Sequence, residues 1–306
     1  AWTVFVPVWL LLVYVPVFKW VYGGWLGSRG SLDFAGGTAI HVNAGIAALA
    51  AVLVLGHRTE KPHLPHSMPL VMLGTGILWF GWFGFNAGSA LGADGQAAQA
   101  FVNTFLAAAA AGLSWVLVEW RRDGHPTNLG AASGIVAGLV AITPGAGFVS
   151  GMSPIYIGLI AGAICAFAVG LKTKLGYDDA LDVVGVHFVG GLAGTLLIGL
   201  FAEPSSPAGK AGLFYGGGLD QLWRQAIGAF AVMIYAFVLS YLIALGIKKT
   251  IGWRVSTADE LGGIDLAEHS EVGYDLSPVY YSSKVQRTLV LTKDDMPQLE
   301  TTGASK

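Results

Sequence analysis

Two imidazoles stand in stretches that offer them few polar neighbours. His41 lies in the run DFAGGTAIHVNAG that starts at Asp33, and His187 lies in DVVGVHFVGG, which starts at Asp182. Imidazole in such a place can relay a proton, hydrogen-bond a passing solute or ligate a metal. A charged or strongly polar side chain at mid-membrane costs about 2.5 to 3.5 kcal/mol on insertion scales, so each one requires a reason. A single buried histidine is often no more than a satisfied interhelical hydrogen bond. These two, however, match. Each run opens with an aspartate, and Gly45, Ile46 and Ala47 follow His41 at the offsets at which Gly191, Leu192 and Ala193 follow His187. The pattern reads as an internal repeat, and the matched pair favours function. A metal centre needs a third ligand, and His57, His63, His66, His125 and His269 all fall in loops or the tail, so no metal or other cofactor is expected.

Other polar and aromatic residues cluster near these runs. Asp33 suits a helix start, where it accepts orphan N–H groups and meets the positive end of the dipole; a fixed negative charge there also favours cation entry. Trp82, Phe85 and Ser89 are spaced by three and four, which puts them on one helical face. Such a face attracts a cation through its π electrons while the hydroxyl accepts an N–H bond. The competing reading is the aromatic belt of a membrane interface. Cys165, the single cysteine, lies in an apolar run and reads as a packed hydrophobe. An intramembrane hydrolase is disfavoured, since no nucleophile, base and metal come together.

The elements that must position these groups are membrane helices. Of the 306 residues 54% are hydrophobic and 12% charged, about half the charge of a soluble domain, and 17 basic against 19 acidic residues leave no basic stripe for nucleic acid. A bilayer core about 30 Å thick needs about 20 apolar residues. Eight stretches qualify, at about 2–18, 34–56, 67–91, 97–120, 129–148, 152–171, 182–202 and 223–247. Residues 1–252 thus read as an all-α polytopic membrane domain and 253–306 as a polar tail. Alternate loops carry Arg58, Lys61, Arg121, Arg122, Lys172, Lys174, Lys248, Lys249 and Arg254, against Lys19, Arg29, Lys210 and Arg224 on the other side, which predicts that both ends are cytoplasmic. The second and seventh spans then run in opposite directions, and inverted repeats of this kind place a substrate site near the midplane. Counted from the predicted helix ends at about 1.5 Å per residue, the two histidines stay about 10 Å apart along the axis, so contact between them does not follow from spacing. Gly130, Gly134 and Gly138 recur every fourth residue, which suits close helix packing. Lacking an initiator methionine and opening directly into a span, the chain reads as a fragment.

These residues resemble the ammonium transporter family, which includes the Rhesus proteins. DFAGGTAIHVNAGIAALAAVLVLG (Asp33 to Gly56) is similar to the family's signature segment, GWFGFNAGSA (Gly81 to Ala90) to its vestibule helix, and DVVGVHFVGG to the segment bearing its second pore histidine. The likeness extends from Ala1 to about Leu276 and favours the ammonium transporter branch. It implies a homotrimer in the cell membrane, each subunit with its own pore of eleven helices in two inverted halves plus one. The spans here match the fourth to the eleventh of these helices, and the first three would supply the partner of a phenylalanine gate. It also implies that Phe85 is one half of the outer gate, that Trp82 and Ser89 recruit ammonium, that Asp33 lies near that site, and that His41 and His187 are the twin pore histidines. Tyr22 takes the place of the usual vestibule tryptophan, with a one-residue gap. The substrate implied is ammonium or ammonia, with methylammonium as analogue, and a P-II type signalling protein is the partner implied for Glu260 to Asp275. A sensor using the same membrane fold is the alternative.

Overall fold

The computed structural model describes residues 1–59 and 65–274. His63 and the expected tail beyond Tyr274 lie outside the described residues. The chain divides into two compact units, Ala1–Arg254 and Val255–Lys306. In the second, the described residues form two short helices, Thr257–Gly262 and Ile264–His269, the first of them capped by Ser256.

The first unit is helical throughout its described elements. We label its apolar helices α1 (Trp2–Ser28, broken around Tyr22–Gly24), α2 (Gly37–Leu55), α3 (Met68–Gly88), α4 (Gly95–Asp123), α5 (Asn128–Ile142), α6 (Ser153–Leu175), α7 (Val184–Phe201) and α8 (Asp220–Thr250). Seven are long and apolar enough to cross a membrane, and α5 is shorter. The chain is therefore an all-α, multi-pass membrane protein. Helix starts carry the expected signals: Ser67, Asp94 and Thr127 each accept a backbone N–H three residues on, and Pro69 and Pro154 occupy first-turn positions.

The fifth predicted span, 129–148, stops early as a helix. The Thr143 hydroxyl turns back to the Leu139 carbonyl and Pro144 follows, so the chain continues as a buried turn. Its carbonyls are all the same engaged. Asn103 Nδ2 donates to Ala146 and Val149, while the N–H groups of Phe34 and Glu203 donate to Pro144 and Phe148. Non-helical backbone survives away from water only under such full pairing.

The glycine repeat does what its spacing predicts. A Cβ at Gly138 would come within 2.4 Å of the Ala107 carbonyl oxygen, and one at Gly158 within 2.3 Å of the same atom. Gly162 is as close to the Ala111 carbonyl, and Gly134 lies 2.9 Å from it by the same measure. The backbone of α4 at Ala107 and Ala111 is thus wedged between glycines of α5 and α6, a contact that small residues alone permit.

Candidate functional site

α2 and α7 are the helices that carry the two imidazoles, and they are copies of one design. Each starts with a π-helical turn, Gly37–Val42 and Val184–Phe188, and continues as a 13-residue α-helix, Asn43–Leu55 and Val189–Phe201. His41 and His187 sit in these π turns, 146 residues apart. Gly45 lies against the backbone of Phe188, Gly191 against the Cβ of His41, and the Thr38 and Thr195 hydroxyls meet at 3.1 Å. Residue numbers rise on one helix as they fall on the other, so the helices run antiparallel.

This staggering closes the axial gap expected from the sequence. That estimate ran both helices to the membrane surfaces, whereas each begins inside the protein, its start beside the middle of the other. His41 lies level with Gly191, four residues or about 6 Å from His187 along the axis. The side chains span the rest, and the two Nδ1 atoms are 3.3 Å apart.

A helix start placed inside leaves N–H groups that water cannot reach. Asp33, buried in the protein, accepts from Gly36 and Gly37 through one oxygen and from Thr38 and Ala39 through the other, at 2.7–2.9 Å. Its counterpart eight residues before His187 is Asp179, also buried, which accepts from Val183 and Val184 at 3.0 and 2.7 Å. The sequence reading matched Asp33 to Asp182 instead. Asp182 in fact has φ of 58° and is ion-paired with Lys172. Burial pushes its carboxyl above the ordinary carboxylate range, and the Lys172 ammonium draws it back.

α3 brings its aromatic face to His41. The Trp82 indole stacks on the imidazole at 5.3 Å between centroids and 16° between planes, and the Phe85 ring stands 6.1 Å from it. Trp82 is buried and its Nε1 donates to the Thr143 hydroxyl at 2.9 Å, which places it in the interior and not in an interfacial belt. Phe85 remains 38% exposed. Ser89 is one turn further, its hydroxyl donating to the Phe85 carbonyl at 2.8 Å. Tyr22 ends the first part of α1, 4.8 Å from the Phe18 ring, and packs on the layer that contains Ala39 and Val42 of α2. His41 thus touches His187 on one side and Trp82 and Phe85 on another, while Asp33 and Tyr22 bear on the helix that carries His41.

For two neutral imidazoles an Nδ1–Nδ1 hydrogen bond requires that one ring accept there and hold its proton at Nε2, while the other donates and is bare at Nε2. The pair therefore shows one donor and one acceptor on its far sides. His41 Nε2 is buried and has no partner among the described residues. No group of three His, Cys, Asp or Glu side chains among those residues is placed to hold a metal ion.

Sequence reasoning passed over Asp179, Thr143, the Thr38–Thr195 contact and the paired amides Gln221 and Gln225. Asp179 was findable, since it precedes His187 by the interval at which Asp33 precedes His41.

Comparison with known proteins gives one consistent result. The model of the Ammonium Transporter Family matches residues 1–274. An ammonium transporter of Mycobacterium tuberculosis is 53% identical over 296 residues, covering 90% of this chain and 62% of the relative, so the chain spans less than two thirds of that protein's length. The crystal structure of Saccharomyces cerevisiae Mep2 superposes with a TM-score of 0.80 at 38% identity, over 90% of this chain and 65% of that one. A structure described as a sensor Amt protein superposes with a TM-score of 0.76 at 35% identity, over 83% and 66%.

Proposed function

Because the chain belongs to the ammonium transporter family, we propose that the protein conducts ammonium, as ammonia plus a separately handled proton, across the cell membrane. The observation that carries this reading is the buried His41–His187 contact at 3.3 Å, with two aromatic rings over one of its members. Ammonium and potassium are about equal in size, so width alone sorts them poorly. Hydrogen bonding sorts them well, because ammonia can accept from one Nε2 and donate to the other while potassium has no hydrogen to give. A bare cation in an apolar passage meets a heavy desolvation cost that the neutral form escapes.

In this scheme Trp82, Ser89 and Tyr22 recruit the cation by π electrons and a hydroxyl, Phe85 gates the way in, and the proton leaves near Asp33. Asp33 serves twice, since the carboxylate that fixes the start of α2 also lends negative charge to the entrance. The membrane region is residues 1–252 with a tail over 253–306. The working unit is a homotrimer with cytoplasmic tails that a P-II type protein reads.

The test is labelled methylammonium uptake by vesicles holding the full-length protein. Replacing both His41 and His187 with alanine is expected to lower uptake about 100-fold or to admit potassium, the scale of losing a positioned hydrogen-bonding pair. Unchanged uptake with potassium still excluded rejects the assignment. The likeness to a sensor Amt protein favours one other reading, ammonium sensing with little flux. Tight binding of methylammonium without uptake by the unmodified protein selects it.

A further inference from the structure

Gln225 of α8 is fully buried, and its amide is engaged on both sides. Its Oε1 accepts from the Leu32 N–H at 2.6 Å and from Gln221 Nε2 at 3.0 Å. Its Nε2 donates to the Leu32 carbonyl at 2.8 Å and to the Thr195 carbonyl at 3.1 Å. An amide that holds both the N–H and the C=O of one residue fixes the tilt of the peptide planes as well as their place. The next residue is Asp33, whose carboxylate takes the N–H of Gly36, just before α2, and the first three N–H groups of α2 itself. Thr195, the third point of the grip, meets Thr38 of that first turn through its hydroxyl. Gln225 therefore holds, from α8, both the peptide that aims Asp33 and the part of α7 against which the His41 turn is seated.

We propose that Gln225 is a positioning residue for solute passage: by clamping Leu32 and Thr195 it sets Asp33 and, through it, the π turn that aims His41. The proposal rests on the transport reading above. It touches neither the solute nor the imidazoles. Its loss is expected to slow passage while leaving recruitment alone, because the recruiting rings and hydroxyl lie on α1 and at the end of α3 and the Asp33 charge at the entrance is retained.

The test uses the full-length protein with two readouts, backbone amide exchange and methylammonium uptake per folded molecule. Gln225→Met keeps the volume and removes all four bonds, Gln225→Glu keeps the acceptor, and Gln221→Met removes only the Gln221–Gln225 bond and the one to Gly30. For Gln225→Met, exchange at residues 32 and 36–39 is expected to rise about tenfold. The maximal uptake rate is expected to fall about fivefold while the half-saturating concentration stays within about twofold. Gln225→Glu, which turns a carboxylate toward the Leu32 and Thr195 carbonyls, loses at least as much as Gln225→Met, and Gln221→Met stays within about twofold of the parent on both readouts. Unchanged exchange at 36–39, an unchanged rate per folded molecule, or an equal loss in Gln221→Met overturns the proposal. If Gln225→Met does not fold, Gln225→Asn, which keeps a neutral amide but shortens its reach, carries the same comparison. If the parent protein moves no methylammonium, the transport reading falls, and exchange at 36–39 alone decides the clamp.

Discussion

The Asp33–His41 half and the Asp179–His187 half share a plan, yet they are anchored by different chemistry. Around Asp33 the inner grip is neutral: four backbone N–H groups on the carboxylate, with Gln225 and Gln221 holding the preceding loop at Leu32 and Gly30, while the exposed Arg224–Asp220 pair reaches only the Arg29 carbonyl. Around Asp179 it is ionic. Lys172 donates to the Asp179 carbonyl and pairs with Asp182, and Arg58 forms a two-point pair with the adjoining Asp178. Arg58 and Lys172 keep about a third of their side-chain surface in solvent. The difference teaches where each device works. A cation desolvated without water nearby costs more than its partner returns, so the buried Gln221 and Gln225 hold the first loop as amides, whereas Arg58 and Lys172, part in solvent, can hold the second as ions that water still screens.

The largest expected effect tests the caps. Asp33→Ala frees four buried N–H groups and Asp179→Ala two, and a hydrogen bond to a charged group is worth about 1.5–3 kcal/mol. Thermal unfolding in detergent should show a loss of about 3 kcal/mol or more for the first and roughly half as much for the second. Equal losses would mean that the two halves are held alike.

The helix contact comes next. A Cβ at Gly45 meets the Phe188 backbone nitrogen at 2.3 Å, whereas one at Gly191 meets the His41 Cβ at 2.8 Å. A Cβ moves only with its backbone, so both contacts demand a backbone shift, and the closer one demands the larger. Gly45→Ala is expected to cost about 2–3 kcal/mol and Gly191→Ala about 1, with methylammonium uptake falling in the same order. The reverse order in the melting temperatures would show that the histidine turn is the stiffer element.

The smallest effect concerns the ionic anchor. Lys172→Met is expected to cost less than about 1 kcal/mol, discounted for its solvent exposure. The loss should vanish near 1 M salt, where screening acts over about 3 Å. A Gln225 variant measured beside it should lose the same stability at every salt concentration. Salt sensitivity in both would erase the distinction between the anchors.

Much of this was legible from residue types, and the remainder for physical reasons was not. Apolar run length gave seven of the eight helices nearly in place, because the bilayer imposes that length on any span. The exception was α5, where a buried turn as apolar as a helix conceals its end; only Thr143–Pro144 hints at it. The histidines stood out because imidazole is costly in such surroundings. Their contact stayed hidden, since it depends on helices that start inside the protein, and no hydropathy pattern records where a buried aspartate replaces water. Trp82 was open to a belt reading, because its spacing reveals a face but not what that face meets. Gln225 has no periodic partner, and its role depends on residues 193 and 30 positions away.

Both histidines hang on a π turn, with His41 N–H reaching back five residues to the Gly36 carbonyl at 3.0 Å. Such a turn houses one residue more than a regular one, and each residue swings the following chain by about 100°. A codon lost between Gly37 and Val42 would thus spare composition and hydropathy while swinging the imidazole about a quarter-circle away from its twin. In loops that kind of deletion passes almost unnoticed; in these two short stretches, lineages that keep the pair are bound to keep the count.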